Sequence, residues 1–151
     1  MTIDISIEDD GWQALPGLEE LSQRVAEVAL NGNAREVCLL FTSDAAVQDM
    51  NRNWRGKDQP TNVLSFPFQA TGPVPEDAEM PLGDIALAFE TVAGEAHSQH
   101  KTLADHTSHL IAHGILHLLG YDHQTEAEAE AMEQRERDIL SGLGIKDPYE
   151  T

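Results

Sequence analysis

The stretch His113-Gly114-Ile115-Leu116-His117-Leu118-Leu119-Gly120-Tyr121-Asp122-His123 constrains this 151-residue chain more than any other. Successive helical residues are rotated by about 100°, so His113 and His117 project from one face a single turn apart. Two imidazoles placed in this way can grip one ion with little rearrangement. Gly120 falls where the helix should stop, because glycine readily takes the left-handed conformation that closes a helix C-terminus. The chain can then reverse and return His123 to the same ion. Three neutral imidazoles and a water make an open tetrahedral zinc site of the catalytic kind. A histidine pair alone is often only a polar patch on a helix. The third histidine behind a helix-stopping glycine makes it a metal site, with a single zinc ion per chain.

The spacing H-x-x-x-H-x-x-G-x-x-H is that of the metzincin peptidases, with one difference. Those enzymes carry a glutamate after the first histidine as general base, and here that position is Gly114. The metal grip is kept and the peptidase base is missing. The whole run closely resembles the signature of the YbeY family of bacterial zinc-dependent endoribonucleases. A second block runs from Asn51-Arg52-Asn53-Trp54-Arg55 through Pro60-Thr61-Asn62-Val63-Leu64-Ser65-Phe66. It looks like that family's N-x-x-[YW]-R-x-x-x-x-P-T-D-V-L-S-F segment. Leu82-Gly83-Asp84-Ile85 is a third block, and the three follow the family's order. Asn62 departs from the pattern, which usually has aspartate there, so no catalytic role is carried over to it.

The resemblance implies a single YbeY-like domain over residues 1–151. It implies cleavage of single-stranded RNA in maturation of the 16S rRNA 3′ end and in ribosome quality control. It also implies an rRNA precursor and the ribosome or its proteins as partners, rather than DNA or a membrane.

Charge bears on that expectation. With 27 acidic and 9 basic residues, the formal net charge of −18 repels nucleic acid at long range. Arg52, Arg55 and Lys57 nevertheless gather three of the nine cations within six positions, and such a cluster can bind phosphate locally. No apolar run approaches the roughly 18 residues that read as a transmembrane helix. The opening MTIDISIEDD has neither the basic start nor the apolar stretch of a signal peptide. Cys38 is the lone cysteine and reads as a small core residue, which fits a reducing cytoplasm.

In chain order, Ile3, Ile5 and Ile7 alternate with polar residues, as in a half-buried strand. A helix follows on Leu18, Leu21, Val25, Val28 and Ala29 and should end near Asn31-Gly32-Asn33. Glu36 to Phe41 reads as a second strand, and Ser43 caps a helix to about Asn53 with Ala46, Val47 and Met50 inward. Val63 to Phe66 is a short edge strand stopped by Pro67. An exposed loop is expected over 69–82, then a strand from Asp84 to Phe89 and a helix from Glu90 to about His100, weakened by Gly94. Thr102 and Asp105 resemble a capping box, so the metal helix should run from there to Leu119, buried on nearly every face. Thr125 and Glu128 start a last helix. Its Ala127, Ala131, Ile139 and Leu140 should pack inward, with Glu126, Glu130, Glu133 and Glu136 as a solvated face. The sum is an α+β domain with a mixed sheet of about four strands, about five helices and a zincin-like metal helix.

Among the other candidates, Arg55 is suited to catalysis because a guanidinium makes forked hydrogen bonds to phosphate oxygens; its alternative is a surface salt bridge. Asp122 either takes a proton beside the metal or caps the turn. His109 shares the metal face by angle but sits a turn too far away, which makes it a supporting or core residue. His97, His100 and His106 have no convergent partner. Zinc on the three histidines would acidify water and polarise a phosphoryl oxygen, with Arg55 neutralising charge in the transition state. Two other functions fit the same residues: a non-nuclease metallohydrolase, and a metal-stabilised RNA-binding or ribosome-assembly factor with little turnover.

Overall fold

A computed structural model describes residues 3–33, 35–68, 72–73 and 80–149. Most of the expected 69–82 loop lies outside them. The four strands are β1 (Ile3–Ile7), β2 (Val37–Thr42), β3 (Val63–Pro67) and β4 (Gly83–Ala88). They form one mixed sheet in the order β1-β2-β4-β3. β1 and β4 run parallel to β2, and β3 is antiparallel to β4, so the strand ending at Pro67 lies at an edge. Five helices surround the sheet among the described residues: α1 (Leu18–Leu30), α2 (Asp44–Arg55), α3 (Phe89–Ser98), α4 (Leu103–Leu118) and α5 (Glu126–Gly142). This is the α+β architecture expected.

Three helices start where their caps predict. The Ser43, Thr102 and Thr125 side chains accept hydrogen bonds from the amides of Ala46, Asp105 and Glu128, each three residues on. Strand alternation then sorts the core into two layers. Val37, Leu39, Phe41, Ile85 and Leu87 join residues of α1 and α4 on one face. Leu64, Ala86 and Ala88 meet Val47 of α2 on the other, with Leu40, Met50 and Phe66 alongside. A short 3-10 turn, Asp10–Ala14, adds Trp12 to the first layer. Its indole donates to the Thr42 carbonyl at 3.0 Å and meets Phe41 and Phe89 edge to face.

α4 crosses the first layer closely, as its apolar sequence demands, and Gly114 lies at a point of close approach. A Cβ there would lie 3.0–3.2 Å from two Ile85 carbons and the Ser65 hydroxyl oxygen. The Ser65 hydroxyl donates to the Gly114 carbonyl at 3.2 Å.

Three details differ from expectation. In α5 the inward residues are Met132, Glu136, Ile139 and Leu140, whereas Ala127 and Ala131 are exposed. The apolar stripe is therefore set by Met132 and includes a glutamate. Cys38 is half-buried on the strand face beside Asp4, Glu36 and Asp84 rather than in the core; burial and then Asp84 push its thiol up to about 11. α2 continues to Arg55, where Gly56 closes it at φ 71°. No helix among the described residues is long and apolar enough to cross a membrane.

Candidate metal centre

The end of α4 forms the turn that the sequence requires. With Gly120 at φ 106°, its amide bonds the His117 carbonyl at 3.0 Å and the Tyr121 amide bonds that of Leu116 at 2.9 Å. These two bonds make a Schellman closure. Asp122 then accepts from the backbone N–H of His123 at 2.7 Å, so its carboxylate caps the turn that presents the third histidine.

One ring nitrogen from each of His113, His117 and His123 lies within 4.8 Å of the others, a spacing at which they can hold one metal ion. The Nε2 atoms of His113 and His117 are 3.1 Å apart. Burial, and then the neighbouring His113 and His123, lower the His117 pKa, which favours the neutral form needed for coordination. An all-nitrogen set of three imidazoles with an exposed third member suits zinc with a position left open.

Behind the trio is a group that sequence reading assigned to solvent. Glu136, from α5, is 0% exposed. Its Oε1 lies 2.6 Å from His113 Nδ1 and 3.4 Å from His109 Nε2, and its Oε2 accepts from the Tyr149 hydroxyl. Burial alone would raise the carboxyl, but the hydrogen bonds from His109, His113 and Tyr149 prevail and hold it at about 2. The phenol of Tyr149 is correspondingly driven up, by burial and by Glu136. His109 thus stands one step from the trio, through Glu136. The spacing of Met132, Glu136, Ile139 and Leu140 is the signal that would have found Glu136, since it lies on the buried stripe.

Beyond His109, a cavity of about 360 Å³ reaches His106, Glu95, Asn62 and Lys101. His106 is buried and pairs with Glu95 at 2.9 Å. Asn62 donates to the same Glu95 oxygen at 2.9 Å and accepts from the Val63 amide at 2.7 Å. An aspartate at Asn62 could not make the first of these bonds while ionised.

Arg55 does not share the trio's side of the sheet. It lines a groove of about 750 Å³ with Met50, Trp54, Phe66 and Asp84, on the α2 face. Ser65, one residue from Phe66, points the other way to Gly114. Edge strand β3 therefore separates Arg55 from the histidines. No ion pair involves Arg55 among the described residues; its neighbour Arg52 carries those, with Asp49 and Asp58.

A buried helix that ends in three convergent histidines, on a small α+β sheet and with Gly114 at the zincin base position, defines a class of proteins able to hold a metal ion at a helix end. The comparisons narrow that class. The profile of "Endoribonuclease YbeY" matches residues 6–144, and the chain belongs to the YbeY endoribonuclease family. An endoribonuclease YbeY of Azorhizobium caulinodans is 48% identical over 99% of this chain and 96% of its own length. That of Paramagnetospirillum magneticum is 50% identical over 99% and 98%. A solution structure from Thermotoga maritima superposes with a TM-score of 0.60 at 25% identity, covering 99% of this chain and all of the other.

Proposed function

We propose that the chain is a zinc-dependent endoribonuclease that cleaves single-stranded RNA as a one-domain enzyme. Its cytoplasmic role would be maturation of the 16S rRNA 3′ end and ribosome quality control, on an rRNA precursor and with the ribosome or its proteins as partners. The observation that carries the reading is the convergence of His113, His117 and His123 in a family whose relatives are named endoribonucleases.

In this reading the three imidazoles hold zinc and leave one position open. Zinc bound there supplies a Lewis acid for a phosphoryl oxygen and lowers the pKa of water towards 7. Asp122 keeps His123 in reach by capping its turn, and any proton transfer through it is secondary to that positioning. Arg55 binds a phosphate of the same strand from across β3 and neutralises charge there. Gly114 leaves no side chain at the base position, and Ile85 and Ser65 fill the space beside it, which disfavours peptidase chemistry.

The test is metal analysis together with cleavage of a labelled single-stranded RNA. Wild-type protein should bind one zinc per chain and lose cleavage to a chelator, with zinc restoring it. His117→Ala should lose most of its zinc and its activity together. RNA binding without metal-dependent turnover would favour the assembly-factor reading.

A further inference from the structure

Among the described residues, Glu136 is the sole buried carboxylate. A charge in that position is tolerated only when hydrogen bonds replace the water it has lost. Its bonds do so, and they carry information about the metal site. An ionised carboxylate can only accept. With the other oxygen accepting from Tyr149 and no further partner at Oε1 among the described residues but the two rings, the 2.6 Å contact fits His113 Nδ1 carrying the hydrogen and donating it. In the neutral ring Nε2 then holds the lone pair, and Nε2 is the atom that faces His117. The other oxygen of Glu136 is tied to the Tyr149 hydroxyl, so the carboxylate cannot easily rotate away.

We infer that Glu136 is a positioning residue that locks His113 in its Nδ1–H tautomer, aims the Nε2 lone pair at the ion, and so sets the metal affinity of the centre. Tyr149, from the segment after α5, steadies that carboxylate from the opposite side. Carboxylates that receive the free N–H of a ligating histidine fix its ring and raise its basicity, and their loss typically weakens metal binding by about 10–100-fold. Glu136 touches neither substrate nor reacting atoms. Its effect passes through His113 alone.

The inference rests on the metal-site reading, and the experiment separates the two. Zinc affinity is measured by competition with a chromophoric chelator for wild type, Glu136→Gln, Tyr149→Phe and His117→Ala, with thermal unfolding as a check on folding. ¹⁵N shifts of the His113 ring report its tautomer in the zinc-free proteins. Glu136→Gln should lose roughly 10–100-fold in affinity while unfolding cooperatively. Its His113 ring should move away from the pure Nδ1–H form. Tyr149→Phe should lose less, in the same direction. If His117→Ala loses zinc while Glu136→Gln binds as tightly as wild type, the positioning role is wrong and the site stands. If Glu136→Gln does not fold, wild-type affinity in Tyr149→Phe overturns the inference. Full zinc binding by His117→Ala would overturn the site itself.

Discussion

Replacing Gly114 by alanine tests the close crossing of α4 over the sheet. In an unhindered helix interior the change should stabilise, because alanine is preferred over glycine by about 1 kcal/mol. Here the new methyl would sit 3.0 and 3.1 Å from Ile85 carbons and 3.2 Å from the Ser65 oxygen. Ile85 is 0% exposed in a central strand and has nowhere to move. Overpacking of this kind costs about 1–3 kcal/mol, so the net effect should be a loss of about 1 kcal/mol. For a chain of this size that lowers the Tm by about 2–4 °C. Gly94 is the control. It lies inside α3 with nothing within 4 Å of its would-be Cβ, and Gly94→Ala should raise the Tm by a similar amount. Both are read by thermal and urea unfolding of zinc-free protein. A Gly114→Ala variant as stable as Gly94→Ala would refute the close packing of α4 on Ile85 and Ser65.

Other measurements address the remaining chemistry. Arg55→Ala should keep the fold and the zinc but raise the KM for RNA cleavage, more so at higher salt, with only partial rescue by Arg55→Lys; wild-type cleavage at all salt concentrations would remove Arg55 from the site. His106 has its pKa lowered chiefly by burial, against the raising effect of Glu95, so below about pH 6.5 the unfolded chain binds a proton that the folded one resists. Stability of the zinc-free protein should therefore fall as pH drops from about 7.5 to about 5.5, by no more than about 1.4 kcal/mol per unit for this group; an unchanged decline in His106→Gln would exclude it as the source. For single-stranded RNA, log affinity should fall with log salt at a slope no steeper than about −2, since only Arg55 and Lys57 of the basic cluster make no ion pair among the described residues; a slope near −4 would point to a basic surface elsewhere.

The convergence of the three histidines was legible in sequence because its determinants are local. Thr102 starts the helix, the i, i+4 pair sets one face, and Gly120 turns the chain within three residues of His123. Glu136 was not legible, because an acid in a helix with four other glutamates reads as solvated. Its true setting depends on how α5 rotates against α4. Ala127 and Ala131 suggested one rotation, and the bulk of Met132, Ile139 and Leu140 decided another. The side of the sheet that Arg55 occupies was equally hidden. It follows from which face α2 covers and from the alternation of β3, where Leu64 and Phe66 turn towards α2 and Ser65 towards α4.

That separation bears on how so acidic a chain could hold RNA. Arg52 is already committed to Asp49 and Asp58, so of the three clustered cations only Arg55 and Lys57 make no ion pair among the described residues. Against a net charge of −18, two cations cannot supply strong electrostatic affinity. A strand that reaches Arg55 and the histidines together must pass around β3. As the last strand of the sheet among the described residues, β3 turns the Ser65 amide and the carbonyls of Val63, Ser65 and Pro67 away from β4, the Val63 amide being taken by Asn62. Those groups can bind an extended polynucleotide without adding charge, and Trp54, 77% exposed beside Arg55, can stack a base. An RNA strand that follows the edge would pass Arg55 and the histidines at two points, which is the arrangement the Arg55→Ala measurement tests.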